Sequence, residues 1–153
     1  GMGRMLEPLE ILDIFSNSFS KGKMSGKKVL ITAGPTQEPI DPVRFITNKS
    51  SGKMGYSLAE AAIESGAKVT LVSGPVNLSK PDNCNFVSVQ TAQEMYEAVM
   101  HHIKDKDVYI GTAAVSDYRP LNKSSTKIKK DGTGKIISLE LEENDDILKS
   151  VSN

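Results

Sequence analysis

The run Lys28-Val29-Leu30-Ile31-Thr32-Ala33, closed by Gly34-Pro35, decides the fold. It is short, mostly apolar and partly β-branched, and polar side chains do not alternate along it. A strand of that kind is covered on both faces, as strands are inside a parallel sheet. Lys68-Val69-Thr70-Leu71-Val72-Ser73 repeats the pattern and ends at Gly74-Pro75. Between the two, residues 50–66 carry a helical pattern. Met54, Leu58, Ala61 and Ala62 are predicted on one face with Ile63 near its edge. Ser50 or Ser51 can cap the start, and Gly66 suits a left-handed stop. Strand, helix and strand within one sheet imply a right-handed crossover and a parallel pair.

The pattern recurs. Residues 85–89 read as a short strand. Thr91 is expected to cap a helix running to about Ile103, with Met95, Val99 and Ile103 at successive i+4 positions. Residues 107–114 form a further buried strand. The alternation predicts an α/β, Rossmann-like three-layer fold with a mostly parallel sheet. Ligands of such sheets bind beyond the carboxyl ends of the strands, here Gly34, Gly74 and residues 113–117. Residues 34–51, with Pro35, Pro39 and Pro42, are expected to be a long connection, and long ordered loops are usually functional. Residues 136–142 alternate apolar and polar side chains, predicting a half-exposed strand. Residues 146–151 begin a helix.

The 153 residues suit one domain. Lys and Arg match Asp and Glu at 19 each, so no global field draws nucleic acid or an anionic membrane. The charge is unevenly placed. Six basic residues and one acid lie between Arg119 and Lys135, and five acids with no base lie between Glu140 and Asp146. Such runs are usually solvated surface; the sharper reading is a basic segment that meets a phosphate. The single cysteine, Cys84, excludes an intramolecular disulfide, fits a reducing compartment such as the cytoplasm, and reads as structural. No run approaches the ~20 apolar residues of a membrane span, and residues 1–10 lack the apolar core of a signal peptide. Residues 16–28 have a linker's Ser, Lys and Gly, so the folded domain is expected to begin near Lys27. Ahead of it, Leu9, Leu12 and Ile14 show a short helical spacing.

Two common phosphate signatures fail. Thr36 stands where a Gly-x-Gly-x-x-Gly fingerprint needs its second glycine. A P-loop would need glycine at Thr47 and a hydroxyl residue at Met54. Another route to anion binding remains. Ser50-Ser51-Gly52-Lys53 opens a helix whose free N–H groups and serine hydroxyls can face an anion, or can simply be a cap. Asn48 could stabilise a carbonyl oxygen that gains charge, or could support the loop. Asp117 follows the small residues Ala113 and Ala114, which leave room for a flat base. It could accept from an amino group or ribose, or could pair with Arg119. Lys127 and Lys129, if on a strand, would share a face and could meet a triphosphate, or could guard an edge.

Lys28 to Thr36, Glu38, Ile40 to Arg44, Asn48 and Ser50 to Gly55 together resemble the signature of phosphopantothenate–cysteine ligases. Ala113 to Arg119 and Lys127 to Lys130 are similar to the family's later motifs. The chain has Asn144-Asp145-Asp146-Ile147 where the family usually has Asn-Pro-Asp-Ile. Gly3-Arg4-Met5, Glu7-Pro8 and Glu10-Ile11 resemble the tail of the flavin-dependent decarboxylase that bacteria fuse ahead of the ligase. On that resemblance, residues 1–26 are decarboxylase tail plus linker, and 27–153 are an incomplete ligase nucleotide-binding core lacking the domain's C-terminal part. FMN would belong to the decarboxylase domain upstream.

The resemblance implies a multifunctional enzyme of coenzyme A biosynthesis that joins 4′-phosphopantothenate to cysteine with CTP and Mg²⁺. An acyl-cytidylate forms with loss of pyrophosphate, and cysteine then displaces CMP. Asn48 would hold the acyl-phosphate intermediate and its carbonyl. Lys127 would serve the transfer chemistry and contact CTP. Gly111, Ala113, Ala114, Asp117 and Asp145, Asp146, Ile147 and Leu148 would lie on the nucleotide. Gly34, Ser51 and Gly52 would lie against phosphates, and Arg44 would help hold phosphopantothenate. The metal ligands stay unassigned. The resemblance also implies a homodimer whose second subunit completes each site. Residues 130–135 are expected to form a mobile lid, since Asp131-Gly132-Thr133-Gly134 has no packing residues. A competing reading from fold alone is an NAD(P)-dependent oxidoreductase, against which the missing glycine fingerprint counts. A third is a dimerisation module without catalysis.

Overall fold

A computed structural model of the chain describes Leu9 and residues 22–130, 132–134 and 136–152. The helical spacing around Leu12 and Ile14 and two positions of the expected lid, Asp131 and Lys135, lie outside the described residues.

Four strands build the main sheet: β1 (Lys28–Ala33), β4 (Lys68–Ser73), β5 (Asn85–Ser88) and β6 (Val108–Gly111). Their order is β5-β4-β1-β6, and every pairing is parallel. β1 is central and its residues 29–33 are buried, as its continuous apolar run requires. Helix α1 (Lys53–Glu64) covers a cluster built on Val29, Ile31, Val69 and Leu71. Helix α2 (Ala92–His102) covers Leu30 and Val72 with Met95 and Val99. These are the layers the sequence predicts. Fully burying Leu30, Ile31 or Leu71 is worth about 1.5–3 kcal/mol each.

Thr91 starts α2 with a capping box: its hydroxyl accepts from the Glu94 N–H, and Glu94 reaches back to the Thr91 N–H. The buried Glu38 adds a further acceptor, for the Ala92 N–H at 2.9 Å. Gly66, at φ 86°, ends α1 with bonds from its own N–H to Ile63 and from Ala67 to Ala62.

Five expectations need correction. Residues 34–51 are not one irregular connection. They contain an antiparallel hairpin, β2 (Gln37–Asp41) and β3 (Arg44–Thr47), with a register shift between Pro39 and Asp41. A two-stranded ribbon has only edges, where proline's missing N–H is tolerated.

The buried face of α1 is Gly55, Tyr56, Ala59 and Ala62, while Met54 is 71% exposed and Leu58 and Ala61 face outward. The helix packs so close to the sheet that a Cβ on Gly55 would meet the Ala33 Cβ at 2.5 Å. Gly55, Ala59 and Ala62 therefore make the close contact with the sheet, and Tyr56 is the one large side chain buried beside them.

The α1 N-cap is Gly52, at φ 73°, with no side-chain capping bond. Ser50 and Ser51 instead accept from the N–H groups two residues on, Gly52 and Lys53.

Of the strand expected over residues 136–142 only Leu141 and Glu142 form one, within a β8 that spans Leu141–Glu143. This β8 pairs antiparallel with β7 (Tyr118–Pro120), and Ile136 is 88% exposed. Finally, Lys127 and Lys129 lie on an irregular segment and not on a strand.

Helix α3 (Ile147–Val151) follows β8, and Asp146 caps it by accepting from the Lys149 N–H at 2.9 Å. No described helix is long and apolar enough to cross a membrane.

Candidate functional site

The site grows from an extension of the β1–β6 pairing. Beyond Ala33 the chain continues as Gly34-Pro35-Thr36 beside Ala113 to Ser116. The Ala114 N–H donates to the Gly34 carbonyl at 2.8 Å, and the Thr36 N–H donates to the Ala114 carbonyl at 3.2 Å. The Thr36 hydroxyl accepts from the Ser116 N–H at 2.9 Å. β1 is thereby tied to the 113–117 segment at the carboxyl end of the sheet.

Against this frame lies a cleft of about 590 Å³, a volume that suits a small-molecule ligand. Gly111, Ala113 and Asp117 form one wall, and Asp145 to Leu148 another. Gly111 and Ala113 leave the space that larger side chains would fill, while Ala114 stands outside the lining and serves the Thr36 and Asn48 bonds through its carbonyl. Tyr109 also lines it. Burial raises the Tyr109 phenol above its ordinary pKa, a bond with Thr32 opposes the rise, and the Asp146 charge adds to it. The phenol is therefore a neutral hydrogen-bonding group at neutral pH.

The two walls are joined by Asn144, which sequence reasoning noted only as part of a motif. Its side chain donates to the Ser116 carbonyl and its N–H to the Asp117 carbonyl, each at 2.8 Å. Its side-chain oxygen, Oδ1, accepts from Arg119 at 3.1 Å. Arg119 also pairs with Glu142 at 2.9 Å, a β7–β8 cross-strand pair, so the alternative in which Arg119 pairs with Asp117 is not what forms. Ser116, in the same wall, has a buried hydroxyl with no hydrogen-bond partner among the described residues.

Asn48 follows β3, and its amide donates to the Val115 carbonyl at 3.0 Å and, at the longer distance of 3.4 Å, to that of Ala114. The hairpin thus delivers Asn48 to the backbone of the cleft wall. Gly34 and Gly52 come together beside it: a Cβ on Gly52 would lie 3.4 Å from the Gly34 Cα and 2.8 Å from Val76. Ser51 stands next to this contact, at the start of α1.

Arg44 and Lys127 lie apart from the cleft wall. Arg44 donates to the Ile128 carbonyl and pairs with Asp41 at 3.5 Å. Lys127, next to Ile128, is exposed. The expected residues therefore form three neighbouring groups: the cleft, the Gly34–Asn48–Gly52 junction, and the Arg44–Lys127 segment joined to them through the hairpin.

Among the described residues no three His, Cys, Asp or Glu side chains form a metal cage. Asp117, Asp145 and Asp146 place three carboxylates along the cleft walls. Cys84 is remote from this chemistry. Its thiol donates to the Pro81 carbonyl, and burial raises its pKa, as a structural role requires.

The family model described as the DNA/pantothenate metabolism flavoprotein C-terminal domain matches residues 24–153. The chain belongs to that family. Over 152 residues it is 51% identical to the Coenzyme A biosynthesis bifunctional protein CoaBC of Vibrio vulnificus strain YJ016, covering 99% of this chain and 38% of that protein. The chain thus spans well under half the length of this curated relative. Among solved structures, it is similar to the C-terminal domain of a CoaBC protein, with a TM-score of 0.73 and 51% identity over 84% of this chain and 59% of that one. It is also similar to the DNA/pantothenate metabolism flavoprotein of Streptococcus pneumoniae, with a TM-score of 0.72 and 27% identity over 83% and 64% of the two chains. Membership of this flavoprotein C-terminal family accords with the three-layer α/β arrangement described above.

Proposed function

We propose that this chain is the nucleotide-binding part of a phosphopantothenate–cysteine ligase, acting in the cytoplasm in coenzyme A biosynthesis. The observation that carries the proposal is the Asn48 amide, held against the backbone of a nucleotide-sized cleft. Membership of a pantothenate-metabolism family and likeness to coenzyme A biosynthesis proteins support it.

The carboxylate of 4′-phosphopantothenate attacks the α-phosphorus of CTP, and pyrophosphate leaves. The cysteine amine then attacks the acyl carbonyl, the acyl–phosphate bond breaks, and CMP leaves with release of a proton. Cytosine and ribose would occupy the cleft between Gly111–Asp117 and Asp145–Leu148. The triphosphate would extend towards Gly34, Ser51 and the start of α1, where Gly52 supplies no side-chain cap and the helix N-terminus favours an anion. Mg²⁺ would offset phosphate charge there.

Asn48 would place one amide N–H on the acyl carbonyl by giving up its longer bond to Ala114 and keeping the shorter one to Val115. Lys127 would stabilise charge during transfer. Arg44 would present its remaining N–H groups to phosphopantothenate. A second subunit would complete each site.

The test is product analysis with radiolabelled CTP on the full-length protein. CMP release should require both phosphopantothenate and cysteine, whereas phosphopantothenate alone should yield pyrophosphate in a single turnover. Nucleotide turnover indifferent to either substrate would refute the assignment.

A further inference from the structure

Asp41 is buried, 2% exposed, at the turn of the β2–β3 hairpin. A carboxylate is kept out of water only when it is well partnered. One oxygen, Oδ1, accepts from the N–H groups of Val43 and Arg44 at 2.9 Å each and so closes the turn. The other, Oδ2, accepts from the N–H of Ile128, 87 positions away, at 3.1 Å. Arg44 completes the arrangement: its guanidinium donates to the Ile128 carbonyl while its Nε lies 3.5 Å from Asp41 Oδ2. Both backbone polar groups of Ile128 are therefore held by one ion pair. A further bond, from the Ser124 N–H to the Ile40 carbonyl at 2.9 Å, ties the same segment to β2.

Within the segment the Ser124 hydroxyl donates to the Thr126 carbonyl at 2.6 Å and accepts from the Thr126 N–H at 3.3 Å, bonds that stop short of Lys127. Residues 121–130 form no regular structure, and Lys127, Lys129 and Lys130 are exposed while Ile128 is half-buried. Gripping one peptide unit by its donor and its acceptor fixes that unit's direction, and with it the neighbours on either side. Those neighbours are Lys127 and Lys129.

We propose that Asp41 is a positioning residue: with Arg44 it clamps Ile128 and thereby sets where Lys127 acts in the transfer step. The proposal rests on the ligase reading for its functional half and on geometry alone for its structural half. The carboxylate is suited to the task because it stays charged. Burial raises its pKa, but the Val43 and Ile128 N–H groups, the Arg44 charge and the Arg44 N–H together outweigh that and hold it below the ordinary value.

Asp41→Asn separates the two halves of the carboxylate's work. Its single oxygen can keep the turn, but an NH₂ group then faces the Ile128 N–H and Arg44, where no acceptor remains. In Asp41→Asn the Ile128 amide should exchange with deuterium at least about tenfold faster, the scale expected for losing a bond to a charged acceptor. The Leu30 and Ile31 amides of the core should be unchanged. Unaltered Ile128 exchange in the folded variant overturns the clamp. A wild-type measurement stands even if the variant does not fold: the Ile128 amide should exchange about tenfold more slowly than those of Lys129 and Lys130, and equal rates overturn the clamp as well.

For the functional half, Asp41→Asn should lower ligase turnover by about tenfold, and Asp41→Asn combined with Lys127→Ala should be no slower than Lys127→Ala alone. Fully additive losses would show that Asp41 does not act through Lys127. Absence of CMP formation by the wild-type protein would instead remove the ligase reading, and the clamp would then stand or fall on the exchange data.

Discussion

Asn48 and Val115 are joined by a 3.0 Å hydrogen bond across 67 positions of sequence, and that bond brings the tip of the β3 exit onto the wall of the cleft. The same wall continues to Asp117, so the candidate amide and the candidate nucleotide contact share one short backbone segment.

Asn48→Ala should therefore remove catalysis and leave the fold intact. Asn48 is exposed, so its loss should change unfolding free energy by no more than about 1 kcal/mol. Ligase turnover should fall by about a hundredfold or more, the scale for one lost oxyanion donor. Paired denaturant melts and CMP-release assays check both halves. Near-normal turnover would remove Asn48 from the chemistry.

Gly52→Ala should destabilise the chain by about 1–3 kcal/mol. Its φ of 73° is unfavourable for any Cβ, and the added carbon would press on Val76 and approach Gly34. A thermal melt reads this directly, and a midpoint equal to the wild type's would contradict the close contact.

Asp146 has two assigned duties that substitution can separate. As the α3 cap, its replacement by Ala should cost about 1 kcal/mol, and Ser should restore most of it. As a wall of the nucleotide cleft, its carboxylate should matter to CTP binding, so Asp146→Ser should bind CTP more weakly at near-normal stability. Calorimetric titration alongside melts distinguishes the two; normal affinity in the Ser variant would leave the cap as its only role.

The fold was legible where side-chain size and burial agree. β1 and β4 are continuous apolar runs because both their faces are covered, and the α2 cap at Thr91 is a local hydrogen-bond pattern that sequence displays directly. The α1 face was not legible from spacing. Met54, Leu58 and Ala61 satisfy helical periodicity, yet close packing on Ala33 selects Gly55, Ala59 and Ala62 for the inside. The hairpin hid behind Pro39 and Pro42: Pro39 sits on an edge strand, where its missing N–H is harmless, and Pro42 lies in the turn. At the site, motif resemblance named Gly111, Ala113, Asp117 and Asp145 to Leu148, which line the cleft, together with Arg44 and Lys127, which lie apart from it. It did not reveal Asn144 or Asp41, whose importance lies in bonds to distant backbone groups that leave no local pattern.

Acid sensitivity should be traceable to Asp105. Bonds to Lys106 and then Lys28 lower its pKa from 3.8 to about 2, against the opposing effect of burial and with help from both charges. A carboxylate with a depressed folded-state pKa contributes stability that is complete above its unfolded value and is lost as pH falls through the folded one. Asp105→Asn should therefore flatten the fall in melting temperature between about pH 4 and 2. An unchanged slope would show that those lysine bonds do not persist in solution.

The most direct test of a nucleotide cleft at the carboxyl end of the sheet is a CTP titration with Mg²⁺, followed by backbone amide chemical shifts. Saturable shifts should centre on Gly111, Ala113, Asp117 and Ile147, with Lys68, Asn85 and Lys106 at the opposite end unmoved. Shifts confined to that opposite end, or none at millimolar CTP, would contradict it.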